Sequence, residues 1–254
     1  RKLQITNEQV TLASKRLKSG KIDARRVYAA NFENDIFYKI DRANYKPINI
    51  HLSIDGSGSM QGEKWKQVLI NTIALGYVSL HMKNIDLTIS IRTTGIDPSL
   101  SSQSAHIPLL ILAFNSKKHT LKDLKKLGYY KVYGLTPEGM CLNALNKYIP
   151  NSSYYLDSYL INMSDGFPTF ENSGFVYKGK SAILDTTKAV NNIKKKGVNV
   201  LSYFIETDIT SIKLDELVKS FRTMYGKSAT FIDPKNIYQI TKTLNNLFLK
   251  RDLV

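Results

Sequence analysis

Ile48-Asn49-Ile50-His51-Leu52-Ser53-Ile54 runs directly into Asp55-Gly56-Ser57-Gly58-Ser59. The first seven residues form a short apolar run, which reads as a buried strand. The glycines that follow mark a tight turn where that strand ends and a helix begins. One carboxylate and two hydroxyls, spaced two residues apart, therefore project from the turn. These are hard oxygen donors that carry a single formal negative charge. Such a set suits Mg²⁺, which takes oxygens at about 2.0–2.1 Å and keeps some of its waters. A cation held this way stays under-neutralised and would attract a carboxylate from another molecule. The stretch thus points to metal-dependent binding before it points to catalysis.

Outward from this stretch, short apolar runs alternate with amphipathic ones. Glu63–Met82 reads as a long helix, with Trp65, Val68, Leu69, Thr72 and Ile73 at three-to-four spacing. Strands are expected at Leu87–Ile91, Leu109–Phe114, Ser158–Met163, Val198–Ile205 and Ala229–Ile232. Helices are expected at Leu121–Leu127, Gly139–Tyr148, Ser181–Lys196, Leu214–Phe221 and Pro234–Leu249. The segment from Thr94 to His106 is rich in Ser, Gly and Pro and reads as a loop. Alternating strands and helices predict an α/β domain, Rossmann-like and doubly wound. Its sheet would be mainly parallel, with helices on both faces. Ligands of such sheets bind at the carboxyl ends of the strands, where Asp55 stands.

Residues 1–46 are polar and basic and read as a partly extended arm preceding a domain over 47–254. Within the arm, Gln9–Leu17 has the pattern of a short helix. Phe32, Ile36, Phe37 and Tyr38 read as an apolar anchor onto the main domain.

Two later signals join the first. Gly134-Leu135-Thr136-Pro137-Glu138-Gly139 offers a threonine hydroxyl on a constrained loop before a helix. Leu160-Ile161-Asn162-Met163-Ser164-Asp165-Gly166 is a strand ending in Asp-Gly. Asp55, Ser57, Ser59, Thr136 and Asp165 would then meet at one sheet edge as three hydroxyls and two carboxylates. Each signal alone is a common turn or helix start. Their joint occurrence, each at a strand-to-loop junction, supports a metal site.

In order and type, Asp-Gly-Ser-Gly-Ser, Gly-Leu-Thr-Pro-Glu-Gly and Ser-Asp-Gly resemble the von Willebrand factor A domain over residues 47–250. That family carries a metal-ion-dependent adhesion site. The resemblance implies that Ser57, Ser59 and Thr136 bind Mg²⁺ directly, with Mn²⁺ or Ca²⁺ as substitutes. Asp55 and Asp165 would act directly or through water. The arm at 17–26, with Phe37, is similar to the segment before the A domain in the T subunit of aerobic cobaltochelatase. Phe231-Ile232-Asp233-Pro234 and the helix through Leu247-Phe248 are similar to that group as well. This narrower resemblance implies a partner among AAA+ ATPases of the MoxR type and a cytoplasmic setting. It departs at Thr136, where that subunit has an acidic residue, so metal insertion into a tetrapyrrole is the alternative and not the leading expectation.

Composition bounds the rest. The chain has 254 residues and is 43% hydrophobic, with a mean hydropathy of −0.23, enough for one large α/β domain. No run approaches the roughly 20 apolar residues of a membrane helix, and the start has no signal-peptide pattern. Arg1 in place of an initiator methionine reads as a fragment of a longer chain. The single cysteine, Cys141, excludes an internal disulfide and a multi-cysteine zinc site, and fits a reducing compartment. The net charge of +15 allows an acidic protein partner or nucleic acid. Because the lysines are spread along the chain, a solvated surface explains them as well.

His51, His81, His106 and His119 lack metal-ligand spacing. Ser57 has no nucleophile-elbow pattern, and no Walker-type phosphate loop occurs, so ATP hydrolysis would belong to a partner. Tyr154, Tyr155 and Tyr159 are expected to pack in a core strand, which lowers the case for nucleic-acid stacking. The expectation is a non-catalytic module that grips an acidic residue of a protein partner through a metal.

Overall fold

The computed structural model describes residues 10–29, 32, 35–43, 46–96, 106–172, 174–206, 212–233, 240 and 242. The chain divides into a smaller unit that holds residues 1–46 and a larger one from Pro47 to Leu244.

The smaller unit contains β1 (Val10–Leu17), β2 (Lys21–Ile22) and β3 (Phe37–Ala43), joined as an antiparallel sheet in the order β1-β3-β2. The helix expected over Gln9–Leu17 is instead strand β1, from Val10. Its register runs from Val10 opposite Ala43 to Leu17 opposite Phe37, with a bulge at Arg16, whose φ is +60°. The local pattern suited a helix, but cross-strand pairing with β3 decides the conformation. Phe37 and Tyr38 lie in β3. Phe32, expected as part of the apolar anchor, is 89% exposed.

The larger unit runs β4 (Ile48–Asp55), α1 (Glu63–His81), β5 (Ile85–Ile96), β6 (His106–Asn115), α2 (Leu121–Lys125), α3 (Glu138–Leu145) and β7 (Asp157–Ser164). It continues through β8 (Phe170–Asn172), β9 (Phe175–Tyr177), α4 (Gly179–Lys194), β10 (Asn199–Ile205), α5 (Ile212–Tyr225) and β11 (Ala229–Ile232). Six strands form one sheet in the order β11-β10-β7-β4-β5-β6. All neighbours are parallel except β6, which returns antiparallel to β5. From β4 the chain first builds outward through β5 and β6, then returns to lay β7 on the other side of β4. The crevice between β4 and β7 is therefore the switch point where a doubly wound sheet binds ligands.

The two faces differ in chemistry. Ile48, Ile50, Leu52 and Ile54 are buried on one face of β4, while His51, Ser53 and Asp55 are buried on the other. Ile91, level with Ile54, lines a cavity with Leu127 and Tyr130, and the Tyr130 ring lies 5.5 Å from Trp65 of α1. Helix α1 buries Trp65, Val68, Thr72, Leu75, Gly76 and Ser79, a single stripe at helical spacing. On the opposite face Leu160, Val200 and Phe204 pack with α3, α4 and α5 through Leu142, Val190 and Phe221. This is an α/β sandwich with helices on both faces.

Several expectations shift at this level. The loop expected from Thr94 to His106 is narrower, because β5 continues to Ile96 and β6 begins at His106. Residues 97–105 lie outside the described ones, as does nearly all of the helix expected at Pro234–Leu249. Tyr154 and Tyr155 are 71% and 72% exposed in a turn before β7, and only Tyr159 packs in the strand. The hairpin β8–β9 was not expected. Strand β6 pairs on one side only among the described strands and carries Pro108 opposite Thr94. No helix among the described residues is long and apolar enough to cross a membrane.

Candidate metal centre

Asp55 is the last residue of β4, and Asp165 follows directly on the last residue of β7. Their strands are hydrogen-bonded neighbours, so the two carboxylates meet at the switch point. The turn after β4 is held by backbone bonds at both ends. Gly56 N donates to Arg92 O (2.7 Å) and Gly58 N to Gly134 O (3.1 Å), while Tyr133 N donates to Gly56 O (2.9 Å). A side chain at Gly56 would put its Cβ 2.5 Å from Ile91 Cγ2 and 3.1 Å from Arg92 O, so only glycine lets these loops close. Gly134 has φ +81°, the left-handed region, and aims the following residues at the site. There Leu135 N donates to Thr94 Oγ1 (3.0 Å).

All five residues singled out in the sequence stand in one hydrogen-bonded chain. Thr136 Oγ1 donates to Asp55 Oδ2 (3.3 Å), and Asp55 Oδ1 accepts from Ser57 N (2.9 Å). Ser57 Oγ and Ser59 Oγ lie 2.9 Å apart, and Ser59 Oγ donates to Asp165 Oδ1 (2.7 Å). Asp55, Ser57, Thr136 and Asp165 are buried, whereas Ser59 is exposed. The chain of oxygens thus runs from the interior to solvent.

The structure adds residues that the sequence reading passed over. Ser164 Oγ donates to Asp55 Oδ2 (3.0 Å). Lys64, in the first turn of α1, donates to Asp165 Oδ2 (3.0 Å) and to Glu206 Oε2 (3.1 Å). Beneath the site Arg92 is fully buried and donates to Ser53 Oγ (2.7 Å), Asn162 Oδ1 (2.5 Å), Met163 O (3.3 Å) and Glu138 Oε1 (3.2 Å). Asn162 in turn donates to Glu138, Ser202 and Tyr225. A charged residue inside the strand run Ile89-Ser90-Ile91-Arg92-Thr93 was the available signal for this layer, since burial there demands partners.

Burial pushes the Asp55 carboxyl up, with the Arg92 charge opposing it. Burial likewise raises Asp165, reinforced by Asp55 and opposed by Ser59 and Lys64. Burial works against the Lys64 charge, but Asp165 and Glu206 outweigh it and its net shift is upward. The two ends of the Lys64–Asp165 pair therefore do not mirror each other: desolvating Asp165 outweighs what the ammonium returns. Among the groups that interact here, the carboxylates of Asp55, Asp165, Glu138 and Glu206 stand against the cations Arg92 and Lys64. Arg92 and Lys64 thus offset part of the acidic charge at the site. Among the described residues no three His, Cys, Asp or Glu side chains gather into a cage. A metal at this place would depend on hydroxyl oxygens, as the donor set offers. By donor type and charge, these residues fit a hard divalent cation.

No protein-family model matches the sequence, and a search of curated proteins finds no match. Solved structures do share the fold. The pilus adhesin SpaC from Lactobacillus rhamnosus GG, in its open conformation, has a TM-score of 0.56 at 13% identity. The match covers 82% of this chain and 30% of SpaC, so the chain spans under a third of that protein. The vWF domain of the type V pili tip protein Mfa5 from Porphyromonas gingivalis has a TM-score of 0.56 at 12% identity. There the match covers 84% of this chain and 99% of that domain. The larger unit therefore has an α/β fold of the von Willebrand factor A type.

Proposed function

We propose that this domain is a metal-dependent protein-interaction module. Ser57, Ser59 and Thr136 would hold Mg²⁺ through their hydroxyls, with Asp55 and Asp165 acting directly or through water. Mn²⁺ or Ca²⁺ would substitute. When bound, the ion would supply a hard positive charge that attracts a carboxylate oxygen of a partner protein. The observation that carries this reading is the continuous hydrogen-bonded chain from Thr136 through Asp55, Ser57 and Ser59 to Asp165.

The chain's own residues have separable tasks. Asp55, held by Ser57 N, Thr136 and Ser164, fixes the loop on which the serines sit. Ser59, at the exposed end, is where a partner would arrive. The three hydroxyls are neutral and the carboxylates are already engaged by donors, so the positive charge would remain directed to solvent.

A partner with an accessible acidic residue follows from this chemistry. An AAA+ ring as that partner rests on the resemblance of the N-terminal arm. A chelatase subunit is the enzymatic alternative, and it requires metal insertion into a tetrapyrrole to rise when this chain joins the ATPase and the remaining subunit.

The test is calorimetric titration of metal-free protein with Mg²⁺ and Mn²⁺, beside Asp55→Ala and Ser59→Ala. Saturable binding in the parent, lost in Asp55→Ala and weakened in Ser59→Ala, is expected. Ser59 is exposed, so its variant keeps the fold and guards against mistaking unfolding for loss of a ligand. Binding that survives Asp55→Ala unchanged would sink the reading.

A further inference from the structure

Lys64 belongs to neither the hydroxyl set nor the acidic pair, yet it occupies the centre of the site's charge. It projects from the first turn of α1, and its Nζ bridges Asp165 Oδ2 at 3.0 Å and Glu206 Oε2 at 3.1 Å. Glu206 immediately follows β10, the strand next to β7. One ammonium therefore ties the carboxyl ends of two neighbouring strands to a helix start. This is no solvent-screened surface pair. The Lys64 side chain is 15% exposed, and that of Asp165 is 0% exposed.

The two oxygens of Asp165 are thereby divided. Oδ1 accepts from Ser59 and faces the hydroxyl chain, while Oδ2 accepts from Lys64. We infer that Lys64 is a positioning residue that holds the metal affinity of the site down. It presents Asp165 through a single oxygen and offsets its charge, so that a carboxylate from a partner is needed to complete the charge balance. The inference rests on the metal reading above and deepens it.

The physical basis is the Coulomb interaction between like charges in a partly buried setting. An ammonium held on a carboxylate of the site opposes the arrival of a cation beside that carboxylate. It equally favours the arrival of an anion. Glu206 acts in the other direction, because it shares the ammonium and draws part of its charge away from Asp165. Removing Lys64 and removing Glu206 should therefore change metal affinity with opposite signs. A lysine that merely stabilised the loop would weaken binding, or leave it unchanged, when removed.

The experiment titrates Mg²⁺ and Mn²⁺ into metal-free parent protein and the variants Lys64→Met, Lys64→Arg and Glu206→Gln. Each titration is repeated in excess sodium acetate as a free carboxylate probe. Lys64→Met should bind metal about tenfold more tightly than the parent, and acetate should enhance its binding less. Lys64→Arg should behave like the parent, and Glu206→Gln should bind several-fold more weakly. Parent-like or weaker binding by Lys64→Met, with saturable binding by the parent, would overturn the inference and leave the metal reading standing. Absence of saturable binding in the parent would overturn both. Should Lys64→Met not fold, Glu206→Gln decides: weaker binding supports the inference, and equal or tighter binding overturns it.

Discussion

Arg92 lies at 0% exposure between Ser53, Asn162, Glu138 and the Met163 carbonyl, two strands deep in the sheet. A buried charge persists only when partners replace water, and here the two terminal nitrogens donate to side chains and a carbonyl of β4, β7 and α3. His51 shares this polar face, with its Nε2 2.9 Å from Ser90 Oγ. Burial, aided by the Arg92 charge, lowers the His51 pKa to about 3. The imidazole is therefore neutral in the folded protein throughout the mildly acidic range. The unfolded chain takes up that proton near the ordinary histidine value of 6.5, while the folded chain does not. His51 thus contributes stability that is fully present above pH 6.5 and is lost as the pH falls toward 3. Urea unfolding at pH 7, 6, 5 and 4 should show a steeper decline for the parent than for His51→Gln. The slopes should differ by about 1.4 kcal/mol per pH unit below 6. Parallel slopes would mean that the native imidazole is already charged. At this scale the sequence exposed the residues whose order and type were distinctive, Asp55, Ser57, Ser59, Thr136 and Asp165. It hid Lys64, Ser164, Glu206 and Glu138, which matter through contacts 24 to 142 residues apart.

At the scale of elements, strand ends and helix starts were legible wherever a local pattern and the tertiary structure agree. Ala229–Ile232 and the strand from Ile48 are examples. The strand β1 and the hairpin β8–β9 were not, because pairing with distant or short segments defines them. The hairpin lies in the connection between Asp165 and α4, and Thr169 N donates to Thr136 O (2.9 Å). Tyr177 at its end donates to Asp185 Oδ2 (3.0 Å) on α4 and packs above Gly139 of α3. A Cβ at Gly139 would collide with the Tyr177 hydroxyl and stand 2.8 Å from the backbone nitrogen of Thr186. Gly139→Ala must therefore push α3 away from α4. Such overpacking costs about 1–3 kcal/mol. Denaturant unfolding should show that loss, and metal affinity should fall with it, since Thr136 sits three residues away. An unchanged midpoint would show that Tyr177 can swing aside.

For the whole molecule, the alternation of strands and helices was enough to foresee the α/β class and the mainly parallel sheet. The strand order was not contained in that alternation. It is set by the crossover that brings β7 to the free side of β4. That one crossover converts residues 110 positions apart into neighbours at a single edge. The opposite flank of the sheet tells a different story. Strand β6 ends the row on its side among the described strands, and an open strand edge is a template for another chain. Pro108 interrupts it, because proline has no N–H to donate to an incoming strand. Pro108→Val should raise light scattering of concentrated protein on mild warming, and an unchanged signal would show that the edge is guarded otherwise. A domain proposed to capture other proteins by a carboxylate gains from not capturing its own kind by its backbone, and the proline ring in β6 withholds one donor from such a pairing.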